Sequence, residues 1–143
     1  MNSYKPEGWT TITPRLVTRD VQGLVDFLKR VFGATGEVHA GRPAEMAIDD
    51  SRILVSDGDG VRSATCAFLY VYVPDVDAVY RRAVEAGART IEAPSDTPYG
   101  DRRAMLEDRW GNTWQVATRS TPPWISAGCR GPSCSQSLSG PPP

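Results

Sequence analysis

At 143 residues, 40% of them hydrophobic, the chain can bury one sizeable core but not two. A net charge of −1 with no basic stripe excludes nucleic acid as a partner, and no apolar run approaches the ~20 residues of a membrane span. The opening MNSYKPEGW lacks the apolar segment of a secretory signal, so a cytoplasmic location is expected. Three cysteines allow one bridge at most. Cys66, inside a strand-like run, is expected as a buried free thiol, and the spacing of Cys129 and Cys134 is compatible with a small loop bridge.

Residues 1–9 form a polar lead-in. Residues 10–19 alternate and carry β-branched side chains, which predicts a first strand, with Pro14 marking an edge position or the strand's start. Asp20 has N-cap chemistry. Val21, Leu24, Val25, Leu28 and Phe32 then recur on one helical face, and Gly33 supplies the stop. Short strands are expected at 36–40, 44–49 and 52–56, the last two joined by a turn at Asp49, Asp50 and Ser51. The turn-rich stretch DGDGVRS, residues 57–63, links the halves. Its two aspartates lack the remaining ligand spacing of a calcium loop.

The second half repeats this grammar. Residues 65–73 are the most strongly β-prone of the chain. Asp75 caps a helix whose apolar face is Val76, Val79, Tyr80, Ala83 and Val84, ending at Gly87. Strands follow at 89–92, 103–107 and 113–118. A loop covers 93–101, and the turn from Asp108 to Asn112 joins the last two strands. From residue 120 the composition collapses to Ser, Pro and Gly, which predicts a flexible tail with Trp124 and Ile125 as its only docking residues. The reading is a lead-in (1–9), one α+β domain (10–119) made of βαβββ modules at 10–58 and 64–119, and a tail (120–143). The two curved sheets form a half-barrel cleft.

The motifs ITPRLVTRD, FLKRVFGA, YVPDVDAVYRRAVEAGAR and YGDRRAMLEDRWGNTWQVATR together resemble the glyoxalase/bleomycin-resistance/extradiol-dioxygenase (vicinal oxygen chelate) superfamily, and its PhnB-like branch most closely. The resemblance covers residues 10–119. It implies paired βαβββ modules and a homodimer, often with the ligand cleft completed between modules of two chains. Its metal-using members carry His or Glu at four inward strand positions. Here those positions fall on Thr13, Leu54, Tyr70 and Gln115, none of them a strong ligand for a transition metal. The sole histidine, His39, together with Glu45 or Glu37, is the alternative donor set, and solvation of His39 near a strand end is the simpler reading. No metal and no cofactor are therefore expected.

Strand alternation places Cys66, Phe68, Tyr70 and Tyr72 on one face and Ala67, Leu69, Val71 and Val73 under the helix. The aromatic row faces the cleft, with Trp110 and Trp114 approaching from the last hairpin and Trp9 preceding the first strand. Trp114 reads equally well as core. Arg103 and Gln115 supply polar contacts, Arg102 or Arg103 suits an anionic group, and Glu45 faces the cleft or the solvent. An inward Arg15 needs a carboxylate, for which Glu45 is the candidate. Aromatic walls with a few polar tips suit a planar small molecule. The leading expectation is metal-independent binding and sequestration of such a molecule, as resistance proteins of this fold do. The alternatives are a metal-free isomerase, epimerase or cyclase working through Tyr70 or Tyr72 with Glu45, a metal-dependent lyase or dioxygenase using His39 and Glu45, and a protein whose cleft is filled.

Overall fold

The structure, a computed structural model, describes residues 4–58 and 62–120. The expected tail, with Trp124, Ile125, Cys129 and Cys134, lies outside the described residues, as does the middle of the 57–63 turn. The elements run β1 (Arg15–Thr18), α1 (Val21–Phe32), β2 (Ala44–Ile48), β3 (Ser51–Asp57), β4 (Phe68–Tyr72), α2 (Val76–Glu85), β5 (Arg89–Asp96), β6 (Asp101–Glu107) and β7 (Thr113–Arg119).

They form two sheets of like topology, β1-β3-β2 and β4-β7-β6-β5. In each, the first strand lies parallel to the last, β1 beside β3 and β4 beside β7. A parallel pair cannot close through a tight hairpin, so each module needs the crossover its helix provides. The mixed α+β class expected from the sequence is present; the second module is βαβββ as expected, while the first is βαββ.

Both helices start where the aspartates stand. Asp20 accepts from Gly23 N at 3.0 Å and Asp75 from Ala78 N at 3.2 Å, each satisfying an amide that has no partner within the helix. α1 ends at Gly33, whose φ of 68° is open to glycine at little cost. There Gly33 N reaches Lys29 O and Ala34 N reaches Leu28 O. Leu24, Val25, Leu28 and Val31 of α1 and Val76, Val79 and Ala83 of α2 are buried against the sheets.

The modules join along an aromatic seam. Phe32 of α1 packs on Trp114 of β7 at 5.0 Å between ring centroids, and Phe27 meets Trp110 edge-on at 5.8 Å. Trp110 Nε1 also donates to Asp20 Oδ2 at 3.1 Å, so one aspartate caps α1 and holds the second module's last turn. Arg82 of α2 donates through Nε and Nη2 to Val31 O, at 3.2 and 3.0 Å, near the C-terminal end of α1 where a cation is favoured.

Three sequence expectations are corrected. Residues 36–40 form no strand. Only an isolated bridge, Thr35 to Ala47, and a tight His39–Arg42 turn lie there, in a stretch with glycines at both ends and prolonged pairing on neither side. The 93–101 loop is in part strand, because β5 continues to Asp96 through two register shifts that absorb Pro94. Cys66 is an exposed free thiol rather than a buried one, since it precedes β4 on that strand's solvent-facing side.

Candidate functional site

The open face of the second sheet carries the strongest concentration of chemistry. Phe68, Tyr70 and Tyr72 alternate outward along β4 while Leu69 and Val71 pack toward the core. In register beside them, Tyr70 pairs with Gln115 of β7 and Gln115 with Met105 of β6, so one face presents these side chains in a row. Phe68 remains 64% exposed.

The two tyrosines are not loose. Their rings lie 5.3 Å apart, and each hydroxyl donates to the same oxygen, Oδ2 of Asp101, at 2.8 Å. Asp101 opens β6 opposite Arg119 and is 1% exposed. Its other oxygen, Oδ1, lies 3.2 Å from Arg119 Nε in an ion pair that falls short of a hydrogen bond. Thr97 holds the strand's start from behind, receiving Asp101 N at its hydroxyl and donating that hydroxyl to Asp101 O. A buried carboxylate accepting two phenolic protons forms bonds stronger than neutral ones. Burial, and then the bond to Asp101, push the Tyr70 phenol well above its ordinary value of 10.0. Tyr70 therefore keeps its proton and is a poor general base. Beside this group Arg103 donates to Tyr99 Oη at 2.7 Å and stands 3.5 Å from Glu92.

The remaining expected site residues fall elsewhere. Trp110 is directed to α1 at the module seam instead of toward the aromatic row. Trp114 is 2% exposed and donates to Asp108 Oδ2 at 2.9 Å, which makes it core with one edge reaching a cavity. Asp108 also accepts from Trp110 N, Asn112 N and Asn112 Nδ2, and Asn112 Oδ1 receives Ala67 N. The EDRWGNTW motif is thus a buried lock on the last hairpin. Arg102 pairs with Asp77 and Asp96. Glu45 and Arg15 flank Leu54 in register on the first sheet, but Arg15 donates to Ser56 Oγ at 3.0 Å, so the Arg15–Glu45 pair expected from sequence is not formed.

The two first-strand slots given by the resemblance, Thr13 and Tyr70, do not occupy equivalent positions in the two modules. Arg15 stands opposite Leu54 as Tyr70 stands opposite Gln115, and each lies five residues before its helix cap. The structural equivalent of Tyr70 is therefore Arg15, and that of Thr13 is Phe68. An arginine, a leucine, a tyrosine held to a carboxylate and a glutamine do not fit a divalent transition metal. His39 lies in its own turn and Glu37 pairs with Lys29. No three His, Cys, Asp or Glu side chains converge among the described residues.

Sequence reasoning missed Asp101, Arg119 and Tyr99. The sequence reads Asp101 as a loop residue, although alternation carried two residues back from Arg103 puts it on the outward face. It also missed the cavity of about 470 Å³ that runs along the free edge of β4, between Tyr70 and Tyr72 and the β2–β3 turn. A second cavity, of about 450 Å³, lies on the first module beside Arg15, His39 and Arg42.

A βαββ module and a βαβββ module, each closed by a parallel strand pair and each with an open sheet face, define the class of protein. The model of the glyoxalase/bleomycin resistance protein/dioxygenase superfamily matches residues 9–116, and the chain belongs to that superfamily. Uncharacterized proteins of Mycobacterium bovis and Mycobacterium tuberculosis are 28% identical to it over 122 residues, spanning 73% of this chain and 80% and 72% of theirs. Among solved structures, TioX from Micromonospora sp. ML1 superposes with a TM-score of 0.67 at 26% identity, over 77% of this chain and 98% of that one. The fosfomycin resistance protein FosX from Mesorhizobium loti shares the fold, with a TM-score of 0.58 at 19% identity over 80% and 93% of the two chains.

Proposed function

We propose that the protein is a metal-independent small-molecule binder of the superfamily, holding a planar, aromatic-rich compound against Tyr70 and Tyr72, with Phe68 beside them on the same face. The carrying observation is the half-exposed aromatic row, immobilised by a buried carboxylate, beside a cavity of about 470 Å³. A volume of that order accommodates a drug-sized molecule. Pre-ordered rings lower the entropic cost of stacking. Arg103 and Gln115 stand on the same face to supply polar contacts, and Glu45 lies on the opposing module's outward face. The held proton on Tyr70 argues against a Tyr70–Glu45 acid–base enzyme. Sequestration of a natural product, as in drug resistance, is the role this reading assigns. A cytoplasmic homodimer near the PhnB-like branch, with the open sheet covered by a second copy, completes it.

Titration of tryptophan fluorescence with a panel of polycyclic aromatic antibiotics tests the reading, because Trp114 borders the cavity. At least one should quench with micromolar affinity and lose about tenfold or more on Tyr72→Ala, which removes a stacking ring. No quenching by any compound below millimolar concentration would refute it.

A further inference from the structure

We propose that the cavity of the first module binds a small organic oxyanion, a carboxylate or phosphate carried on an apolar body, at a site separate from the aromatic row. The cavity originates in the strand pairing. β3 keeps β1 beside it as far as Asp57, but β2 begins only at Ala44, opposite Val55. The chain before β2 turns back on itself, with His39 bridged to Arg42 around Gly41 at a φ of 78°. The last two residues of β3 therefore border a gap in the sheet, and the cavity of about 450 Å³ lies in that gap.

Hydrogen-bond donors converge there. Leu16 and Thr18 are buried toward the core, so Arg15 projects from the opposite, open face of β1. Ser56 shares that face and is nonetheless only 6% exposed, and its Oγ accepts from Arg15 Nε at 3.0 Å. That bond fixes the guanidinium beside the serine. It leaves Nη1 and Nη2, together with the serine's own hydroxyl proton, without an acceptor among the described residues. A guanidinium with both terminal nitrogens free can grip a carboxylate or phosphate through two parallel bonds. The backbone adds a further donor. Leu54 N donates toward β1, to Pro14 O, so by alternation the Asp57 N–H points the other way, past the start of β2 and into the gap.

The charges of the wall have the same sense. His39 and Arg42 stand opposite each other in their turn, so their side chains rise on one side of it. Neither Arg15 nor Arg42 has a carboxylate partner among the described residues, whereas Arg89 and Arg102 do. The one acid in the lining is Asp57. It has the parity of Ile53 and Val55, which are buried toward the core, so its carboxylate leaves the sheet on the face opposite Arg15 and Ser56. Val21, Val38 and Val55 make the rest of the wall apolar. A bare ion would use only the donors, whereas an acid on a ring or short hydrocarbon uses both kinds of surface.

The test is isothermal titration calorimetry of the full chain with benzoate, phenyl phosphate and acetate at low ionic strength. Benzoate or phenyl phosphate should bind with a Kd below about 1 mM, at least about fivefold more tightly than acetate, and should weaken as salt rises. Whichever binds more tightly identifies the head group as planar or tetrahedral. Arg15→Gln and Arg42→Gln should each weaken that ligand about tenfold. Arg52→Gln removes an arginine of the same module that lies 5.6 Å from the Trp9 ring centre, outside the cavity, and should leave binding unchanged. Arg15 and Arg42 are exposed, so the fold should survive, and an unchanged far-ultraviolet spectrum verifies this. An affinity that survives Arg15→Gln, or that falls as much at Arg52 as at Arg42, overturns the site, as does the absence of binding by both aromatic acids below about 1 mM. Tyr72→Ala should not affect the oxyanion. If it does, the acid sits on the aromatic row, and this assignment falls while the binding reading above stands. Oxyanion binding without quenching by any antibiotic keeps this site and removes that reading.

Discussion

Two buried carboxylates organise the second module, and they do different work. Asp101 is linked to the outward tyrosines and Asp108 to the last hairpin. Asp101→Asn keeps the shape and removes the charge that two phenols and Arg119 face. The expected cost is about 1.5–3 kcal/mol in urea unfolding. A spectroscopic signature accompanies it. Because the folded-state value of Tyr70 is raised above 10.0, its stabilising contribution is complete below about pH 10 and is lost as pH climbs through the folded-state value. Absorbance at 295 nm should show a tyrosine of the folded protein that resists ionisation above pH 10, and Asp101→Asn should bring it back toward the ordinary range. An unmoved titration curve in that variant would contradict the assigned network. Asp108→Ala instead strips an acceptor from four donors, those of Trp110 N, Asn112 N, Asn112 Nδ2 and Trp114 Nε1. It should cost about 3 kcal/mol or more without changing tyrosine titration, which separates a structural aspartate from one that shapes the site.

Among the elements, the helices were legible because their signals are local. An N-cap aspartate, an apolar stripe and a terminal glycine all lie within one stretch of chain, and α1 and α2 begin where Asp20 and Asp75 predict. The outward parity of Phe68, Tyr70 and Tyr72 was legible for the same reason. What the sequence hid depends on partners distant along the chain. Trp110 and Trp114 look like cleft aromatics until α1 is placed beside them, and then Phe27 and Phe32 account for both. Asp101 looks like a loop residue until two phenols converge on it. The weak 36–40 segment read as a strand by alternation alone, and register pairing left it a single bridge. The seam yields its own prediction. Trp110→Ala removes the edge contact to Phe27 and the bond to Asp20, and should cost about 2–3 kcal/mol. Both modules should still unfold in one transition, because Arg82–Val31 and Phe32–Trp114 continue to bind α1 to the second module. Two resolved transitions by circular dichroism would show that Trp110 is the principal coupling.

For the whole molecule, the arrangement leaves apolar side chains on the outward face of the second module. Phe68 is 64% and Tyr72 57% exposed there, and Ile12, also exposed, lies in the segment before β1. A contiguous aromatic surface of this kind is costly in water and usually marks a binding or assembly surface. A ligand filling the cavity along β4 would cover Tyr70 and Tyr72 but would not reach Phe68, which is outside its lining. A second copy offering its own first module to this sheet would cover Phe68 and give the site a second wall, which is the argument for a homodimer. Sedimentation equilibrium at tens of micromolar should return twice the 15.6 kDa chain mass. Phe68→Asp should return the single mass with an unchanged far-ultraviolet spectrum, since the side chain is exposed in the monomer. If the partner's module also contributes to the ligand wall, that monomeric variant should bind the quenching antibiotic more weakly than the parent even though Phe68 does not line the cavity. A monomer at every concentration with full ligand affinity would instead locate the whole site within one chain.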